Sequence, residues 1–474
     1  MAPCKHANLF LDVSPNAAQA GFARPPAAKR RAAASLASRI KPGKADEEDA
    51  QSLAGTFPGP LILPDDLLSV YPKDSDSGQT VKLWQRSKHR NRLHPNTPNT
   101  IHVAAPPSCS PKMKHVKDWI KPLTATQGEE DVHPPRPKDL AAYLAAYYHP
   151  LPVTQTPNLS WVPWEDDGCS PAATKDKDRY IGLQQGQNVT RVRTRPCPDG
   201  AYERQLNLSD ILDALLHMVE EIHPRYALVM MLHHDLYEDE TDDFCCGRAY
   251  GGSRVSVVTS SRYHPGLDWY QEIERAHMWP ASHCGNFVRR KCGVRPETAK
   301  RRKVTVGGGD DDAAGEGRHE GTAMRAAVDA YVAAPAPEKD LAGLWFGRTA
   351  LTISHELGHC FCLGHCNYYA CAMQGTGGIV EDVRQPPYLC PVCLEKVISG
   401  FLEVKEYAEM GRERLILQRY EKLYELCTDK TRAGVKMFAG YGAWLGKRIE
   451  ALKAEEEQKG SVPCIDLTND SGDN

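Results

Sequence analysis

The 474-residue chain contains no run near the 18 or so uninterrupted apolar residues that a membrane-spanning helix needs. Its opening, MAPCKHANLFLDVSPN, lacks the charged start, apolar stretch and cleavage site of a secretory signal. No sign of charge dominates: 58 Lys and Arg stand against 61 Asp and Glu, a net charge of −3, which excludes a globally basic nucleic-acid binder. There is no internal repeat. These absences predict an intracellular protein, cytoplasmic or nuclear, with neither membrane nor nucleic acid as an expected partner. What the chain does have is cysteine. Sixteen Cys is high for a reducing compartment, where disulfides are rare, so clustered thiols point to metal.

Residues 1–57 are rich in Ala, Pro and Ser and carry basic knots at Lys29–Arg31 and at Arg39, Lys41 and Lys44. Without a period of 2 or 3.6, they are expected to be disordered. A folded domain is expected over 58–430. Within it, Thr100–Ala104 alternates like a buried strand, and Leu208–Ile222 sets Leu208, Ile211, Leu212, Leu215, Met218, Val219 and Ile222 at helical steps before Pro224. Ala227–Leu232 (ALVMML) and Val255–Thr259 (VSVVT) read as buried strands, so the fold class is α/β (α+β). A low-complexity insertion is expected at about 296–320. A helix should open near Pro337 and run through Leu341, Leu344, Trp345 and Leu351. Phe401–Leu426 is helical by period, and the 431–474 region is expected to be helical over Trp444–Gln458 and then an acidic disordered tail.

The chemistry concentrates in Ser354–Cys393, SHELGHCFCLGHCNYYACAMQGTGGIVEDVRQPPYLCPVC. His355 and His359 are four apart, so a helix presents both imidazoles on one face to a single Zn²⁺, with Glu356 one step round and placed to reach a zinc-bound water. Such a metal lowers the pKa of its water to about 7 and polarises a scissile carbonyl, while Glu356 takes the proton and passes it to the leaving amine. His365 lies where an extended HExxHxxGxxH site has its third ligand. Met373 follows where a methionine beneath the zinc ligands is expected. Cys366, Cys371, Cys390 and Cys393 fit a closed tetrahedral site with a structural role. Two Zn²⁺ per chain are therefore expected, one catalytic and one structural. Because Cys366 follows His365 directly, the structural ion would anchor the loop that presents the third catalytic ligand.

His355, Glu356, His359, His365, Cys366, Cys371, Met373, Cys390 and Cys393 together resemble the archaemetzincin signature: HExxH with a third His, then Cys, four residues, CxM and a closing CxxC. The resemblance is clearest over about 45 residues. It implies a metzincin-like zincin core, with a twisted mixed sheet, an active-site helix, Met373 as the Met-turn and a four-cysteine zinc loop. It also implies peptide-bond hydrolysis, with Val255–Thr259 as the edge strand along which a peptide lies. One position departs. Cys362 stands where the pattern has Gly, and a side chain there opposes the left-handed turn by on the order of 1–2 kcal/mol. Either Cys362 accepts the strain and His365 ligates, or the helix continues to Gly364 and Cys362 becomes a thiolate ligand. The retained spacing to His365 and its abutting Cys366 favour the first.

Weaker signals remain. His233, His234, Cys245 and Cys246 could line a cleft or simply be loop residues. The knots Lys29–Arg31 and Lys300–Lys303 resemble import or phosphate-contacting signals. In the tail, Ile465–Thr468 with flanking acids resembles a SUMO-interacting strand. The reading is thus a zinc metallopeptidase acting on peptide or protein substrates. The alternative is an inactive zinc-stabilised binding protein directed to SUMO by its tail.

Overall fold

The computed structural model describes residues 6–36, 53–70, 78–156, 159–164, 178–222, 225–294, 319–335 and 340–460. The tail Ile465–Thr468, the knot Lys300–Lys303, nearly all of the 296–320 insertion, Arg39, Lys41, Lys44, Pro224 and Pro337 lie outside these residues.

Ala227–Leu232 runs through the middle of a five-stranded sheet in the order Gly247–Tyr250, Val255–Thr259, Ala227–Leu232, Ile101–Ala104, Val153–Gln155. Four of the strands are parallel and Gly247–Tyr250 is antiparallel to its neighbour. All six side chains of Ala227–Leu232 are buried because both faces of the sheet are covered, as its continuous apolar run predicts. Ala227, Val229 and Met231 face one core, while Leu228, Met230 and Leu232 face another.

The second core is closed by helix Leu208–Glu221, whose Leu208, Ile211, Leu212, Leu215, Met218 and Val219 are the apolar stripe seen in the sequence. Asn207 caps it by accepting from the Asp210 amide. A second sheet of six short strands from Ser108–Cys109 to Asp235–Tyr237 covers this side. The first core is closed by helix Leu341–Cys360, which buries Phe346, Ala350, Ile353, Leu357 and Cys360 at alternating four- and three-residue steps. Helices Pro137–Tyr147, Pro391–Phe401, Arg412–Thr428 and Lys436–Gly460 surround it. No helix among the described residues is long and apolar enough to cross a membrane.

Four expectations need correcting. Residues 6–36, expected to be disordered, pack on the body. Phe10 donates its amide to the His283 carbonyl, Ser14 to that of Leu61, and Ala17, Phe22 and Ala33 are buried. Their apolar residues follow no period because they divide among three separate clusters. Val255–Thr259 is not an edge strand, since Gly247–Tyr250 pairs along its outer side and is itself the edge. The polar four-residue GRAY has no alternation to read. The helix expected near Pro337 starts at Leu341, where Asp340 accepts from the Gly343 amide at 2.7 Å and so sets the N-terminus. Phe401–Leu426 is not continuous: Gly411, at φ 88°, separates Lys405–Met410 from Arg412–Thr428.

Candidate metal centre

Helix Leu341–Cys360 turns its apolar stripe to the core and a second stripe, Arg348, Leu351, Thr352, His355 and Glu356, to a cleft. His355 and His359 sit four apart on it, with ring centroids 4.8 Å apart. Their Nε2 atoms are 3.1 Å apart, and each Nδ1 is 2.7 Å from a backbone carbonyl, Ala372 for His355 and Leu363 for His359. A Nδ1–H donated to a carbonyl fixes the tautomer and leaves Nε2 with a free lone pair. Burial and the neighbouring rings push His355 well below the ordinary histidine value and His359 down to about 4. Both are then neutral, the form that binds metal.

The helix ends in a Schellman turn, with Cys362 donating to the His359 carbonyl at 2.8 Å and Leu363 to that of Gly358 at 3.2 Å. Cys362 occupies the left-handed position of that turn, φ 57°. The surroundings hold it there. Trp84 Nε1 donates to the Phe361 carbonyl at 2.8 Å, Gln79 Nε2 to that of Cys362 at 3.0 Å, and Asn91 Nδ2 to that of Cys360 at 2.9 Å. Gln79 Oε1 receives the Gly364 amide and Lys396. The Cys362 thiol points away from the imidazoles, to the His89 carbonyl at 3.1 Å.

The turn brings His365 back to the helix, its ring centroid 5.4 Å from that of His355 and 5.0 Å from that of His359. One ligand atom from each of the three histidines lies within 4.8 Å of the others. Cys362 is outside this group. A Cβ at Gly375 would stand 2.8 Å from His365 Nδ1, so a glycine there lets the ring pack. Met373 is fully buried beneath, and a Cβ at Gly358 would collide with its sulfur. The glycine in HELGH is therefore explained by Met373.

Cys366, Cys371, Cys390 and Cys393 form a second group, again with ligand atoms within 4.8 Å of one another. Cys366 and Cys390 sulfurs are 3.5 Å apart, and Cys371 receives the amides of Met373 at 3.4 Å and Cys390 at 3.3 Å. Neighbouring thiols donating to Cys366 hold it well below the usual thiol range, while burial pushes Cys371 and Cys390 up. Four sulfurs this close, with amides aimed at them, suit a thiophilic cation that supplies the missing positive charge.

Glu356 is 8% exposed and lines the cleft, which also meets Phe244, Cys245, Cys246, Gly247 and Asp382. Burial first, then the nearby Asp382, raises its carboxyl to about 8. Gly247 of the edge strand lies directly alongside, since a Cβ there would be 3.0 Å from Glu356 Cγ. Of the weaker candidates, Cys245 and Cys246 do line the cleft. His233 and His234 do not; they bond Ser260 Oγ at 2.7 Å and the Val116 carbonyl at 3.1 Å. In the knot Lys29–Arg31, the Arg30 guanidinium stacks over Tyr369, 5.4 Å from the ring centroid. Sequence reasoning missed Gln79, Trp84, Asn91 and Tyr263, which come from distant segments, and Asp382, which lies within the quoted stretch but carries no motif of its own.

Residues 335–399 match Peptidase family M54. Human archaemetzincin-2 is 43% identical over 67 residues, 14% of this chain and 19% of that relative, and human archaemetzincin-1 is 40% identical over 58 residues, 12% of each. The matched segment thus spans about a fifth of the length of the first of these relatives. Among solved structures, the archaemetzincin of Methanopyrus kandleri aligns at 14% identity over 65% of this chain and 98% of its own, with a TM-score of 0.29. A zinc-dependent peptidase of Methanocorpusculum labreanum aligns at 15% over 63% and 99%, with a TM-score of 0.27. The segment that carries both clusters is similar in sequence to archaemetzincins.

Proposed function

We propose that the chain is a zinc-dependent peptidase whose catalytic ion is held by His355, His359 and His365 and whose structural ion is held by the four clustered cysteines. The observation that carries this is the convergence of three imidazoles beside a buried carboxyl group in an open cleft. Zinc at such a site supplies Lewis acidity to a peptide carbonyl and to water. Everything else falls to the chain's own groups. The carbonyls of Ala372 and Leu363 orient His355 and His359 through Nδ1. Glu356, held in a low-dielectric wall, has the basicity to take a proton from water and return it to the leaving amine at its carboxylate oxygen. The edge strand Gly247–Tyr250, beside Glu356, is placed for an extended peptide to add along its outer side.

The motive for an inactive binding protein was Cys362 in a glycine position. With that residue in the left-handed turn and His365 in the histidine group, the enzyme reading has the better support. The catalytic domain on this reading spans 58–430, and the compartment is intracellular. Ile465–Thr468 remains a candidate SUMO-binding strand, which loss of SUMO pull-down on Ile465→Ala would test.

The deciding experiment measures zinc per chain by elemental analysis and cleavage of a peptide library, for wild type and Glu356→Ala. Two zinc equivalents with Glu356-dependent cleavage is the expected result. One equivalent, or two without any cleavage, refutes the proposal.

A further inference from the structure

The cleft beside the histidines has a volume of about 300 Å³ and reaches a wall formed by the short helix Ile379–Asp382. Its charged lining is Arg348, Glu356 and Asp382. Arg348 is committed elsewhere: its two terminal nitrogens bind Asp268 at 2.6 and 2.9 Å, and Arg275 with Glu129 completes that balanced network. Arg248 of the edge strand is paired with Glu238.

Asp382 differs. Tyr263 Oη donates to it at 2.7 Å and Thr376 bonds it as well, both of them neutral hydroxyls. Thr352 Oγ1 donates to Tyr263 Oη at 2.6 Å, which directs the phenol proton to Asp382. A carboxylate accepts at about four positions, so about half of its capacity remains on the cleft wall. No cation pairs with it among the described residues. Burial raises its carboxyl above the ordinary range, a direction that an arriving cation would reverse. Phe244, Leu351, Ile379 and Val383 line the same cleft and suit the aliphatic stem of a long basic side chain.

We propose that Asp382 is the specificity-determining residue of this cleft, binding the ammonium or guanidinium of a peptide substrate, from a Lys or Arg side chain or from a free N-terminus. The inference rests on the peptidase reading above.

The test exposes the zinc-loaded full chain, as wild type, Asp382→Asn and Asp382→Glu, to a peptide library in which each member exists with free and acetylated N-termini. Mass spectrometry reads the cuts. A side-chain source enriches Lys or Arg over norleucine at one position relative to the cut; an N-terminal source requires the free amine. Either preference should be about tenfold or more, fall in Asp382→Asn and return in Asp382→Glu. Cleavage without preference for a cation, or a preference that survives Asp382→Asn, overturns the inference and leaves the peptidase reading standing. Should Asp382→Asn not fold, as shown by its melting curve, the wild-type preference decides alone. No cleavage by wild type overturns the peptidase reading itself. The inference is then judged by fluorescence anisotropy of Glu356→Gln protein with labelled lysine and norleucine peptides: tighter lysine binding sustains it, and equal affinity overturns it.

Discussion

His365 and Cys366 are adjacent in the chain, yet they belong to clusters of opposite character. Cys366, Cys371, Cys390 and Cys393 are sealed, none more than 4% exposed, with backbone amides aimed at sulfur. The histidines stand at a surface cleft, two half-buried and the third exposed. A sealed cluster leaves no room for a reacting molecule and can only contribute stability; an open one gives up coordination to admit it. The single peptide bond between them lets the sealed cluster set the geometry of the open one, and Cys366 reinforces this by donating its amide to the Met373 carbonyl at 2.7 Å.

The largest effect should come from breaking the sealed side. Structural zinc in small hosts contributes about 10–16 kcal/mol of binding free energy, so Cys390→Ser should lose one zinc equivalent, lower the melting temperature sharply and abolish cleavage. A variant that melts like wild type would mean that the thiols hold no metal. On the open side, Glu356→Gln should reduce cleavage by about 10²–10⁴-fold while keeping both zinc equivalents and the melting temperature, a separation that the sealed side cannot show.

His365→Ala and Cys362→Ala sharpen the boundary between the clusters. Elemental analysis should find one equivalent lost in the first and none in the second; the reverse would make Cys362 the ligand. Gly358→Ala forces a methyl against the Met373 sulfur and should cost about 1–3 kcal/mol in chemical denaturation, with a larger loss of activity than of zinc. The smallest change is Cys362→Gly. It relieves a left-handed side chain and should stabilise the chain by about 1 kcal/mol or less, because the thiol's contact with the His89 carbonyl is lost. A destabilised Cys362→Gly would show that this contact outweighs the strain.

Much of the site was legible because its residues are close in sequence. Four-residue spacing on a helix places His355 and His359 on one face whatever surrounds them, and a CxxC pair brings two thiols together locally. The central strands were legible from unbroken apolar runs. The edge strand was not, because a solvated four-residue segment carries no pattern, and neither was the packing of residues 6–36, whose apolar residues answer to partners scattered over the body. Asp382 was invisible as a site residue, since nothing in GGIVEDV distinguishes the acid that faces the cleft from Glu381, which caps the Leu67 and Gly377 amides instead.

By itself the sequence narrowed the groups that could serve the site to a few: the imidazoles and thiols that could bind metal and the Glu356 carboxyl beside them, at spacings that a helix and a short loop must honour. The tertiary structure alone put Cys362 in the left-handed turn and outside the histidine group. Local propensity disfavours a left-handed cysteine by on the order of 1–2 kcal/mol. Side-chain donors from Gln79, Trp84 and Asn91, brought from 269 to 283 residues away, take the carbonyls at the helix end and hold the turn that returns His365 to the helix.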